Sequence, residues 1–97
     1  MTRPERLDGA VVDAALADAG SPWTRNDDRL VLTRKFPSFR EAIGFVVEVA
    51  FLAEAADHHP DLVIHYDEVR VELWTHVAGG LTSRDIELAA KIAALRA

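Results

Sequence analysis

The stretch "DLVIHYDEVRVELWTH", residues 61–76, contains two alternating apolar segments separated by a short acidic pair. A period of two is typical of a half-buried β-strand, and two such segments around a short polar loop predict an antiparallel hairpin. We place the loop at Asp67-Glu68, because this register aligns apolar side chains on one face of the hairpin. The aligned pairs are Tyr66 with Val69, Ile64 with Val71, and Leu62 with Leu73.

The rest of the chain predicts a second hairpin and three helices. Residues 23–25 and 30–36 alternate around a polar turn at 26–29, which indicates a first hairpin. Helical spacing of apolar residues and capping signals predict helices over 7–19, 38–59 and 81–95. Asp8, Ser38 and Thr82 are the expected N-caps, with Glu41 and Asp85 completing capping boxes. Gly20, Ser21 and Pro22 are expected to end the first helix, and Pro60 the second.

The order helix, hairpin, helix, hairpin, helix predicts an α+β fold. Local hairpins form an antiparallel sheet, so we expect a two-layer sandwich of four strands with three helices on one face. The second helix is apolar around most of its girth, with Val47 and Phe51 on a flank. Two explanations remain open: the helix is wrapped by its own sheet, or it contacts another subunit or a ligand.

Composition excludes several classes of function. A chain of 97 residues, 49% apolar and 28% charged, is expected to form one domain over residues 1–97. Its net charge of −5 argues against binding to nucleic acid or anionic membranes. The absence of cysteine excludes disulfides, thiolate catalysis and cysteine-ligated zinc. With no signal-like segment and no apolar run long enough for a bilayer, we expect a cytoplasmic protein.

All four histidines fall between residues 58 and 76. Glu54 and His58 are four residues apart, so they are predicted to pair on one helix face. The hairpin register, continued past Pro60, places His59 opposite His76. Three imidazoles are therefore expected to converge near the Gly79-Gly80 loop, while His65 is interpreted as a surface residue.

The spacing of these residues resembles the signature of the pterin-4a-carbinolamine dehydratases. The matching positions are Glu54, His58-His59-Pro60, Tyr66, His76 and Asp85, and the flanking text "GGLTSRDIELAAKI" is similar as well. The resemblance extends over residues 36–92 and more weakly over the first helix and hairpin. It implies a hydro-lyase that removes water from a 4a-hydroxytetrahydropterin to give the quinonoid dihydropterin. This step recycles tetrahydrobiopterin after aromatic amino acid hydroxylation.

The resemblance also implies roles for individual residues. His58 and His76 are the candidate acid and base, with Glu54 orienting and charging His58. His59, Thr75 and Asp85 are the candidate substrate-binding residues, and Thr75 is expected to offer backbone hydrogen bonds to the ring. For Asp85 two roles remain open: a residue at the edge of the site, or only a cap of the last helix. No cofactor or metal is expected, because imidazoles titrate near neutral pH and suffice for such proton transfers. A homodimer or homotetramer is expected. Tyr66 is interpreted as a core and hairpin residue.

Three other interpretations explain the same histidines differently. They form a solvated cluster at a helix end, or they join Glu54 as ligands of a metal ion. Alternatively, the protein acts through its surface, as in vertebrate relatives that serve as dimerisation cofactors for a transcription factor. The sequence leaves open the pterin side chain, the hydroxylase served, the choice between dimer and tetramer, and which histidine is the acid.

Overall fold

The structure is a computed structural model that describes residues 5–19 and 21–95. Its helices are α1 (Gly9–Ala19), α2 (Phe39–Ala56) and α3 (Ser83–Ala93). Its strands are β1 (Thr24–Asn26), β2 (Arg29–Lys35), β3 (Asp61–His65) and β4 (Glu68–Leu73). A 3₁₀ turn over His76–Ala78 connects β4 to α3. The predicted order of elements is confirmed, and the predicted stop at Gly20 lies outside the described residues.

The four strands form one antiparallel sheet in the order β1-β2-β4-β3. One face of this sheet is apolar and buried against the helices, whereas the opposite face carries charged side chains such as Arg70 and Glu72. This is the predicted α+β arrangement. The core contains, from the sheet, Leu30, Leu32, Val69, Val71 and Leu73, and from the helices, Val12, Ala42, Phe45, Val49, Leu88, Ala89 and Ile92. Each fully buried Leu or Val contributes about 1.5–3 kcal/mol to folding.

The predicted register of the second hairpin is wrong by two residues. Ile64 pairs with Val69 and Leu62 with Val71, so the loop is Tyr66-Asp67 rather than Asp67-Glu68. A shift of two preserves which side chains face the helices, because side chains alternate with a period of two. Tyr66 is therefore a turn residue with φ of 55° and 68% exposure, not a core residue.

Helix α2 ends earlier than the sequence predicted. Asp57 adopts the left-handed conformation (φ 51°, ψ 44°) and its amide donates to the carbonyl oxygens of Ala53 and Glu54, which closes the helix. Left-handed C-caps usually use glycine or asparagine, so the sequence carries no clear stop signal at Asp57. Pro60 is the first residue that predicts an end to the helix. His58 consequently lies beyond the helix and outside its last turn.

The helix starts agree more closely with the sequence. The Ser38 hydroxyl accepts from the Glu41 amide, and Thr82 with Asp85 forms a complete capping box. Helix α1 begins at Gly9, directly after Asp8. Among the described residues, no helix is long and apolar enough to cross a bilayer.

An ion pair connects α1 to β1. Arg25 Nε lies 2.7 Å from Asp13 Oδ1 and Arg25 Nη2 lies 3.0 Å from Asp13 Oδ2. This hydrogen bonding by Arg25 holds the pKa of the Asp13 carboxyl below its ordinary value. The pair is exposed, so it orients α1 more than it stabilises the fold.

Candidate functional site

A cavity of about 280 Å³ lies where the end of α2, the end of β4, the 3₁₀ turn and the first turn of α3 meet. Its volume is near the lower end for small-molecule sites, which span about 300–1,000 Å³. The lining residues come from all four segments: Asp57, His58, His59, Trp74, Thr75, His76, Val77 and Arg84. The structure thus brings three of the four histidines to one cavity, while His65 is exposed on β3.

His58 is the most buried of these histidines, with 9% exposure. Its Nε2 lies 2.6 Å from Asp85 Oδ1, although the two residues are 27 positions apart in the chain. The predicted pairing of His58 with Glu54 is therefore wrong. The cause is the early end of α2, which removes His58 from the helix face that carries Glu54.

Asp85 is fully buried, and both of its carboxylate oxygens accept hydrogen bonds. Oδ2 accepts from the Thr75 hydroxyl at 2.8 Å and from the Thr82 amide at 2.9 Å. With Asp85 ionised, its carboxylate only accepts, and the hydrogen of the contact with His58 then lies on Nε2 of the imidazole. In the neutral ring this arrangement leaves Nδ1 as the nitrogen that is able to accept a proton.

The two threonine hydroxyls extend this network. Because the Thr75 hydroxyl donates its one hydrogen to Asp85, the Thr82 hydroxyl is the donor in the 2.8 Å contact between the two. The Thr82 oxygen in turn accepts from the Arg84 amide at the start of α3. Every polar side-chain atom buried among the described residues has a partner, so the network is fully satisfied.

Thr75 is a structural member of the site. Its amide donates to the Gly80 carbonyl at 3.0 Å, and its carbonyl accepts from the amides of Ala78 and Gly80. Both Thr75 backbone groups thus have partners within the protein, and the expected backbone hydrogen bonds to a ring remain a prediction. Its hydroxyl holds Asp85.

His59 and Glu54 form a separate, exposed pair. His59 Nε2 lies 2.7 Å from Glu54 Oε1, with side-chain exposures of 58% and 78%. The expected cross-strand position of His59 opposite His76 is wrong, because β3 begins only at Asp61. Both residues nevertheless line the cavity.

His76 is exposed and begins the 3₁₀ turn. Its ring packs on the Trp74 indole, with 3.9 Å between ring centroids and 30° between ring planes. Trp74 and Arg84 also line the cavity, although neither is among the residues expected from the sequence to form the site. A tryptophan at the end of a strand, two residues before a histidine, was the available signal for the first of these.

The described residues contain no group of three or more His, Asp or Glu side chains arranged to hold a metal ion. The cavity instead presents one buried imidazole backed by a carboxylate and two exposed imidazoles. Such groups are able to donate and accept protons near neutral pH. The arrangement therefore suits acid–base chemistry on a small ligand.

The fold and this cavity define a small α+β protein with a histidine-lined candidate site between its sheet and the start of its last helix. The sequence profile of the Pterin 4 alpha carbinolamine dehydratase family matches residues 5–95, and the chain belongs to this family. A protein of Thermomicrobium roseum, provisionally named pterin-4-alpha-carbinolamine dehydratase, is 51% identical over 90 residues. That match includes 93% of this chain and 96% of the relative.

Two solved structures share the fold. The transcriptional coactivator/pterin dehydratase from Brucella melitensis is 34% identical with a TM-score of 0.84, covering 91% of this chain and 95% of that one. A pterin dehydratase-like protein described as a RuBisCO assembly factor of the alpha-carboxysome has a TM-score of 0.60 at 20% identity. It covers 74% of this chain and 83% of its own length, and it supports the fold alone.

Proposed function

We propose that the protein dehydrates a 4a-hydroxytetrahydropterin to the quinonoid dihydropterin, the step that recycles tetrahydrobiopterin after aromatic amino acid hydroxylation. The observation that carries this proposal is the single cavity lined by three histidines, one of which is held by a buried carboxylate. Family membership supplies the substrate class.

The reaction needs one proton delivered and one removed on neighbouring atoms. The C4a–O bond breaks and its oxygen leaves as water, which requires a proton. The adjacent ring N–H loses its proton, and the C4a–N double bond forms. His58 and His76, which both line the cavity, perform these two transfers, and His59, paired with Glu54, binds the pterin.

Asp85 acts through His58 in this mechanism. By accepting from Nε2, it holds the ring in place and leaves Nδ1 to exchange a proton with the ligand. Glu54, initially expected to perform this task, acts on His59 instead. The reaction uses only side chains of the protein, and typical gains from such proton transfers are about 10²–10⁴-fold.

The test follows the ultraviolet decay of the 4a-hydroxy intermediate with and without protein. His58→Ala and His76→Ala should each lower the catalysed rate about 100-fold or more. His65→Ala, which changes an exposed histidine on β3, should retain the full rate. His76 is exposed, so its replacement leaves the fold intact and the result interpretable. Wild-type rates in both variants would refute the proposal.

We also propose that the protein self-associates through α2. Val47 and Phe51 lie one turn apart on this helix and are 48% and 72% exposed. Large apolar side chains exposed together on one helix face favour a partner surface. A second copy of the chain is the occupant that we propose.

A further inference from the structure

Trp74 lines the candidate site but takes no part in the proton transfers proposed above. It is half-buried at the end of β4 and lines the cavity together with the three histidines. Its indole packs on the His76 imidazole at 3.9 Å between centroids. The Arg29 guanidinium carbon lies 4.6 Å from the same indole ring, within the range of a cation–π contact.

The indole is itself held by the charged outer face of the sheet. Arg29 Nη1 lies 3.0 Å from Glu72 Oε1 and 3.5 Å from Asp61 Oδ2. The Trp74 indole N–H donates to the same Asp61 carboxylate over 3.4 Å. Contacts from β2, β3 and β4 therefore restrict the position of this one aromatic ring.

His76 lacks other restraints of this kind. Its side chain is exposed, and its ring makes no hydrogen bond to any residue within 5–19 and 21–95. An exposed imidazole with no partner samples several rotamers, and only some of them direct it at a ligand in the cavity. Packing against a fixed indole selects among these rotamers, as offset aromatic pairs do.

Building on the proposed function, we propose that Trp74 is a positioning residue for His76. The indole, held by Arg29 and Asp61, keeps the imidazole aligned with the cavity before the ligand arrives. Its effect on the reaction passes through His76. Replacing the indole therefore lowers kcat and has a smaller effect on KM, because the imidazole still reaches the ligand but spends less time aligned.

The experiment is a double-mutant cycle on dehydration of the 4a-hydroxy intermediate. Trp74→Ala should lower kcat about three- to tenfold, the range expected for the loss of one aromatic packing contact. Trp74→Phe, which keeps an aromatic face, should recover most of this loss. Val63→Ala, on the outer side of neighbouring β3, serves as the matched control and should leave kcat unchanged.

The decisive arm uses the His76→Ala background, in which residual activity from His58 is measured at high enzyme concentration. Trp74→Ala should there change kcat by less than about twofold. An equal loss in both backgrounds, or no loss with His76 present, would overturn the positioning role and leave the proposed function standing. Wild-type activity of His76→Ala would also overturn the positioning role, whereas the proposed function falls only if His58→Ala keeps the wild-type rate as well.

Discussion

A single residue, Asp85, joins the start of a helix to the candidate site. Its side chain accepts from the Thr82 amide to complete the capping box of α3, and from His58 across the cavity wall. The sequence suggested either a cap or a residue at the edge of the site. In the structure Asp85 has both roles, because its Oδ2 accepts from the Thr82 amide at the start of α3 while its Oδ1 contacts His58.

We expect Asp85→Asn to weaken both the fold and the reaction. An amide puts an NH2 donor where the carboxylate had its second acceptor oxygen, so either one of the three donors loses its partner or the His58 hydrogen moves from Nε2 to Nδ1. A buried group left without a partner costs about 1–3 kcal/mol. Urea unfolding should show this loss, and kcat should fall about tenfold or more as His58 loses its fixed orientation.

Nitrogen-15 NMR of the His58 ring separates the two effects, because the preference for hydrogen on Nε2 should disappear in Asp85→Asn. Glu87→Gln provides the control, since it changes an exposed carboxylate on the same helix. An unchanged His58 spectrum would contradict the assigned role of Asp85.

At the scale of elements, both hairpins turn through a non-glycine residue with positive φ. Asp27 (φ 54°) and Tyr66 (φ 55°) each occupy the first position of a two-residue loop. An aromatic residue is disfavoured in this region because its Cβ approaches the backbone. The apolar alternation favours the loop one residue later, at Asp67-Glu68, because that register pairs Tyr66 with Val69 on the apolar face and nothing local signals a turn at Tyr66.

Tyr66→Gly should therefore stabilise the protein by about 1 kcal/mol, since glycine adopts positive φ without strain and the exposed ring buries little area. His65→Gly, the neighbouring position in extended conformation, should instead destabilise it by about 0.5–1 kcal/mol. Chemical denaturation of the two variants checks both signs. A loss of stability in Tyr66→Gly would show that the ring contributes to folding despite its exposure.

The buried face of the sheet was predictable because it depends only on alternation, which survives a register shift of two residues. The end of α2 was not, because an aspartate at Asp57 replaces the usual glycine signal. The early end of α2 also determines the contacts within the site, because it separates His58 from Glu54. The partner that His58 uses instead is brought near by the tertiary fold, and no local spacing rule reports such a contact.

At the scale of the whole molecule, the exposed apolar residues Val47 and Phe51 of α2 allow a test of the proposed self-association. Phe51→Glu should place a charge in the proposed contact between copies and lower the sedimentation coefficient to that of a monomer. Val11→Glu is the matched control, because Val11 is also an exposed apolar residue on a helix, with 54% exposure. Identical sedimentation of wild type and Phe51→Glu would rule out this face as the contact.

The convergence of three histidines was predictable from their close spacing in the sequence. The side chain that each histidine contacts was not predictable. The cavity is lined by segments that are separated in the sequence and adjacent only in the folded protein, namely the ends of α2 and β4, the 3₁₀ turn and the start of α3. Trp74 and Arg84 were missed for the same reason, since neither belongs to a local pattern of titratable residues.

Because one carboxylate serves both the α3 cap and His58, the proposed acid–base chemistry would be difficult to transfer to another protein. A protein engineer who grafted the three imidazoles onto another scaffold would have to carry over a helix start, two hydroxyls and their spacing as one inseparable unit. Conversely, fraying of only the first turn of α3 would displace Asp85 and leave His58 without its hydrogen-bond partner, while the sheet and the remaining core stay in place.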